Sequence, residues 1–231
     1  MGIRFFNKSK LNHEIPRSTK GYSLVEILVV LAIAGLVAAA IYQVFRSQQK
    51  SYTIQDQVAE MQQNLRLALD TMVREIRMAG YDPKELGQFG IVLATSSAMN
   101  FTADIGKGSY KGNGKVDPGE TFLYQLYDSD HDGKVDALRR TPGGAPLATN
   151  MQELEFYYTL DDGTTSLFPT DPEKIRKVQI SILARTSRPD KNYTDTRAYT
   201  TASGATWGPY NDHYHRRLLI TTVKIRNTGL R

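Results

Sequence analysis

The densest group of chemistry-bearing residues is Asp128-Ser129-Asp130-His131-Asp132-Gly133-Lys134-Val135-Asp136, four carboxylates within nine residues. Carboxylates at the first, third and fifth places, glycine at the sixth and a carboxylate at the ninth reproduce the start of an EF-hand-type calcium loop. Calcium takes about six to eight oxygens, and Asp128, Asp130, Asp132 and Asp136 with the Lys134 carbonyl supply most of that shell. The twelfth place holds Arg139 where such loops carry glutamate. A hydrophilic hairpin turn uses the same residue types without a metal. Mutual repulsion of the four carboxylates weighs on the side of a cation. A second fragment, Asn113, Asp117 and Glu120, has the later ligands of such a loop and lacks the early ones. The stretch from Glu120 to Asp128 spans about 26 Å when extended, so two separate loops are expected, the Asp128 loop being the stronger.

The other conspicuous acid is Glu26, the one charge in YSLVEILVVLAIAGLVAAAIY at residues 22–42. A run of that length crosses a bilayer core as a helix. An ionisable group inside it costs about 2.5–3.5 kcal/mol on insertion scales and is normally kept for a partner. Placement near a helix start, where the dipole favours an acid, is the plain alternative. The histidines offer less. His213-x-His215 would share one face of a strand, but two ligands make no structural zinc site and an incidental surface pair is the better reading. The sequence has no phosphate-cradling glycine loop and no nucleophile motif, so no enzyme is expected.

The elements that must position these groups follow from charge and periodicity. The net charge is +5 with a pI near 9.3. Arg4, Lys8, Lys10, Arg17 and Lys20 against Glu14 place most of that charge in residues 1–21. A basic head before an apolar run is a topology signal, so nucleic acid is not indicated. After the run, Ile54, Val58, Met61, Leu65, Leu69, Met72 and Ile76 recur at spacings of three and four, which predicts one helix over residues 22–79 stopped by Gly80. Its length of about 85 Å exceeds any globular need, so one half serves a membrane or filament core and the other a domain. Beyond Tyr81 the period shifts toward two, predicting strands at 121–127, 135–139, 154–160, 178–185 and 218–226. An antiparallel sheet with one apolar face, laid on the second half of the helix, makes the fold class α+β. Residues 187–214 read as a long surface loop in which Trp207, Tyr210 and Tyr214 pin rather than bind. The chain has no cysteine, so no disulfide closes the fold.

Lys20-Gly21-Tyr22-Ser23-Leu24-Val25-Glu26 resembles the type IV prepilin signal. The resemblance implies cleavage after Gly21 by a prepilin peptidase, methylation of the new amine on Tyr22, and Glu26 as the acid that guides assembly. Tyr22 stands where phenylalanine is most usual. The segments VREIRMAGYDP (73–83), IRKVQISILARTSR (175–188) and RRLLITTVKIRNTGLR (216–231) resemble PilW-like minor pilins. Three parts are then expected: a removed leader (1–21), a transmembrane and filament-core helix (22–49), and a periplasmic or extracellular head (50–231). The implied partners are other minor and major pilins, the peptidase and an inner-membrane assembly platform. Adhesion, motility or DNA uptake would follow downstream. Many relatives close the C-terminal region with a disulfide, which this chain lacks. The rival readings are a minor pseudopilin of type II secretion and a single-pass, signal-anchored periplasmic binding protein. Mass spectrometry of the native N-terminus separates filament subunit from anchor: the expected product begins at a methylated Tyr22, and an intact leader favours the anchor.

Overall fold

The computed structural model describes residues 21–106 and 112–227, so the expected leader (1–21) lies outside them except for Gly21. The chain divides into two compact units, Met1–Lys50 and Ser51–Arg231. One helix, α1 (Leu24–Ile76), contributes to both. In the first unit every residue from 21 to 50 is exposed. From Leu24 to Tyr42 the helix is apolar around its circumference but for Glu26, and α1 is long and apolar enough to cross a membrane. Its start is simple: Ser23 offers its carbonyl to the Ile27 N–H, and Glu26 sits in the first turn, where the helix dipole favours a negative charge.

In the second unit the same helix turns amphipathic. Met61, Leu65, Ala68, Leu69, Met72 and Ile76 are buried on one stripe. The helix ends at Ile76, a turn before the residue expected from periodicity. Tighter bonds from Met78 N–H to Glu75 and from Ala79 N–H to Ile76 close it. Gly80 then takes φ +73 and donates its N–H to Thr102, a reversal that favours a residue without Cβ.

The head carries two principal sheets rather than the single sheet expected. One is an antiparallel meander of β1 (Ile91–Ala94), β2 (Ala98–Thr102), β3 (Thr121–Tyr127), β4 (Ala137–Thr141) and β5 (Ala148–Thr149), ordered β1-β2-β3-β4-β5. The other is built from β6 (Met151–Leu160), β7 (Thr165–Ser166), β8 (Ile175–Arg185) and, last in the chain, β11 (Arg216–Lys224), ordered β11-β8-β6-β7. Hydrogen bonds from Met151 N–H to Asp136 and from Phe156 N–H to Ser96 tie the two together. Phe101, Phe122 and Tyr124 from the first sheet and Phe156, Tyr158, Ile180, Ile182 and Val223 from the second share one core with the helix stripe. The first two strands were missed because they are short and irregular, with a register shift between Ile91 and Leu93. The fourth begins at Ala137, not at Val135, which stays exposed outside the strand.

Residues 187–214 are not a featureless loop. A two-stranded ribbon, β9 (Tyr199–Thr200) with β10 (Thr206–Trp207), forms within them. The segment is bonded to the second sheet, where Ser181 Oγ accepts from Ala202 N–H and Glu155 accepts from the Thr201 and Ser203 hydroxyls. As a result β8 is buried continuously from Ile180 to Ala184, on both faces rather than one.

Glu75 near the helix end locks it to the first sheet. Arg140 Nη2 donates to Glu75 Oε1 at 2.6 Å, Arg140 Nε donates to the same carboxylate, and the Tyr124 hydroxyl donates to it as well. Replacing Glu75 by Ala leaves the Arg140 guanidinium with its Pro142 carbonyl bond alone and the Tyr124 hydroxyl without its carboxylate partner. Urea unfolding should show a loss of about 1–3 kcal/mol for Glu75→Ala and a smaller loss for Glu75→Gln.

Candidate functional site

The first unit brings Gly21, Tyr22 and Glu26 together by sequence alone: an extended start, an exposed aromatic, and an acid one turn into α1. A Cβ added at Gly21 would meet nothing within 4 Å, and its φ is not of the left-handed kind. Neither backbone nor packing therefore demands glycine at that place.

The Asp128 loop connects β3 to β4. Asp128, Asp130 and Asp132 each offer a carboxylate oxygen, and the three lie within 4.8 Å of one another. The turn is made by His131 at φ 64 and Gly133 at φ 86. Asp128 accepts from the amides of His131, Asp132 and Gly133, at 2.7 Å for the first and last. Slight desolvation opposes ionisation, but the amides of Gly133, His131 and Asp132 hold the Asp128 carboxyl below the usual range. Asp132 accepts from the Lys134 N–H. Asp136 faces another way, taking the N–H and hydroxyl of Ser129 at 2.9 and 3.0 Å. Arg139, at the place where a twelfth ligand would stand, lies over the Tyr127 ring at 4.4 Å. Three carboxylates thus converge on a hard, all-oxygen donor set that could hold a metal ion.

The second fragment is used internally. Glu120 is fully buried and accepts from Gly106 N–H and Asp117 N–H, while Asn113 donates to Asp117. Asp104, a residue that sequence reasoning passed over, is also buried and accepts from Gly112 N–H and Gly114 N–H at 2.7 and 2.8 Å. Among the described residues, the group of acidic side chains close enough to share an ion is Asp128, Asp130 and Asp132.

The largest cluster of charge was also missed. Arg216, with a fully buried side chain, donates to Asp195 Oδ2 at 3.1 Å, to both oxygens of Asp212 at 2.5 and 2.6 Å, and to Gln152 Oε1 at 2.7 Å. Asp195, equally buried, accepts also from Arg197 and from the Tyr199 and Tyr193 hydroxyls. Tyr210 lies against the Arg216 guanidinium at 4.1 Å and donates to Glu153. His215 stacks on Tyr193 at 3.9 Å and approaches Asp190 at 3.4 Å, and His213 bonds the Tyr193 carbonyl. These contacts pin residues 187–214 to the end of β11. Sequence offered one weak signal for them: aspartates and arginines interleaved with tyrosines in a segment too long for a simple turn.

Two families match. The family described as Type IV Pilus-assembly protein W covers residues 124–227, from within β3 to past β11. The Prokaryotic N-terminal methylation motif covers residues 16–42. No curated protein matches the chain. Among solved structures, a type IV-like pilin from Thermus thermophilus is similar, with 19% identity, 72% of this chain and 97% of that chain covered, and a TM-score of 0.44. The two family matches lie at opposite ends of the chain and support a PilW-type minor pilin of a type IV pilus. Among the described residues one helix is long and apolar enough to cross a membrane, and with the methylation motif it fits an inner-membrane-anchored pilin precursor that is assembled into a pilus.

Burial opposes ionisation of Asp195, yet bonds from Tyr199, Arg197 and Arg216 hold its carboxyl below the usual range, and bonds from Arg216 do the same for Asp212. Their folded pKa values lie below the unfolded value of about 3.9, so the stability they contribute is complete above that pH and lost as pH falls through the folded values. Asp195→Asn should therefore cost about 3 kcal/mol at neutral pH, with the gap to wild type closing below about pH 4. Urea titrations at several pH values, read by the lone Trp207 in β10, measure it.

Proposed function

We propose that this PilW-type minor pilin is cut after Gly21, methylated on the amine of Tyr22, and moved from the inner membrane into a filament through residues 22–49. It acts there with other minor pilins in a priming or tip complex, with major pilins added behind it by the inner-membrane assembly platform. Adhesion, motility or DNA uptake are outcomes of the pilus so started. The observation that carries this reading is the start of α1, apolar on all sides to Tyr42 but for the one acid in its first turn, with no residue from 21 to 50 buried.

The physics of transfer supports it. A helix apolar all round needs lipid or other helices as its cover, and a filament core replaces one with the other. Glu26 is costly in hydrocarbon until it meets a cation, and the N-terminal amine of a neighbouring subunit is one. The absence of any local need for glycine at Gly21 leaves recognition by the prepilin peptidase as the reason for that residue. The match to a pilus-assembly family favours a pilus over type II secretion.

The Asp128 loop is read as a calcium site. Asp128, Asp130 and Asp132 provide the converging carboxylates, the Lys134 carbonyl and Asp136 complete the set, and Asp136 must leave Ser129 to do so. Calcium would join β3 to β4 in a head without disulfides. Asn113, Asp117 and Glu120 serve their own loop as hydrogen-bonding groups.

Glu26→Ala subunits should reach the membrane at normal levels and appear in sheared filaments about sixtyfold to three-hundredfold less than wild type, the equivalent of the insertion cost above. Immunoblots of filament and membrane fractions test this, and wild-type incorporation would sink the pairing. Millimolar calcium should raise the melting temperature of the full chain in detergent by about 5–10 °C. Chelator should reverse the shift, and Asp130→Asn should abolish it. An unchanged melt removes calcium.

A further inference from the structure

The terminal strand of the second sheet is nine residues long and lies at its edge, with β8 on one side. Its hydrogen-bonding direction can be read residue by residue. Thr186 N–H donates to His215, whereas Arg185 N–H turns away to Asn150, so even-numbered residues of β8 bond toward β11. Since Arg216 pairs with Arg185 and Arg217 with Ala184, odd-numbered residues of β11 bond inward and even-numbered ones present N–H and C=O outward. The first outward carbonyl, that of Arg216, is capped by Arg197 Nη2 at 3.3 Å. Leu218, Ile220 and Thr222 follow with outward groups that no other backbone meets among the described residues.

The exposed charged side chains on the strand and just past it are all basic. Arg217 and Lys224 are exposed near its two ends, Arg226 follows, and Lys177 stands opposite Lys224. Among the described residues none of these four is in an ion pair. Ile220, midway, is 45% exposed. A row of unpaired amides and carbonyls with an apolar centre and cationic ends is a template for one more strand, and its charge selects which. A second copy fits badly: antiparallel pairing centred on Ile220 brings Lys224 of each copy beside the exposed Arg217 of the other, like charge near like.

We propose that β11 accepts an added antiparallel strand from a different polypeptide, an extended segment with β-branched residues at its centre and Asp or Glu at its flanks. Backbone bonds to Leu218, Ile220 and Thr222 give the affinity, and the carboxylates meet Arg217 and Lys224. The inference is independent of the filament reading, because it is tested on the isolated full-length chain.

The probes are synthetic nine-residue peptides of alternating valine and threonine, with glutamates at both ends, with lysines at both ends, or with the acidic ends and a central proline. In detergent micelles, the acidic peptide should slow hydrogen exchange at Leu218, Ile220 and Thr222 by about tenfold or more, and the other two should not. Ile220→Pro removes an outward N–H that β8 does not use, so core amides should keep their protection while binding is lost. Should that variant unfold, Arg217→Glu combined with Lys224→Glu decides, with preference expected to pass to the lysine peptide. Equal binding of all three peptides, no protection by the acidic one, or protection that rises with protein concentration alone would overturn the proposal.

Discussion

One helix must satisfy two solvents. Up to Tyr42, α1 is apolar on every side but for Glu26, and no residue up to Lys50 is buried; from Ser51 on, its buried residues lie on one stripe. A surface of the first kind is stable only when lipid or other helices cover it, and of the second only when a folded head lies on the stripe. No break interrupts the hydrogen-bonding of α1, because neither proline nor a left-handed glycine falls within Leu24–Ile76. Membrane anchorage, filament entry and folding of the head therefore all draw on the same element.

The head has no covalent cross-link, and hydrogen-bonded carboxylates take over at the places where its layers end. Glu75 joins the helix end to β3 and β4. Asp195 and Asp212 hold Arg216 at the base of β11. Glu155 takes the hydroxyls of Thr201 and Ser203. Asp104 and Glu120 collect backbone amides in the loop between β2 and β3. Each buried acid is costly unless its oxygens are met, and here each is met by two or more donors. Such groups make the fold specific as well as stable, since a shift of one layer would leave several of them unpaired at once.

The two aspartate-rich loops show how similar sequences divide their labour. In the 113–120 fragment the acid at the last place is buried and spent on amides, so the loop is closed by its own chain. In the Asp128 loop the three leading carboxylates remain at the surface with their oxygens close together. Exposure and convergence, not the number of acids, distinguish a loop that can take an ion from one that has already satisfied itself.

Much of this was legible in the residues because the signals are local. The apolar run with Glu26, the stripe from Ile54 to Ile76, the turn at Gly80 and the alternation in β3, β6, β8 and β11 each lie within one element, where periodicity reports directly on which side is buried. The Asp128 cluster was likewise readable, as its ligands are spaced along a single turn. What only tertiary structure decided is non-local: the division of the strands into two sheets, the covering of β8 on its second face by residues 187–214, and the pairing of Arg216 with Asp195. Those outcomes depend on partners distant in the chain, and a polar residue in a chain reads as solvated until the fold brings its counterpart beside it.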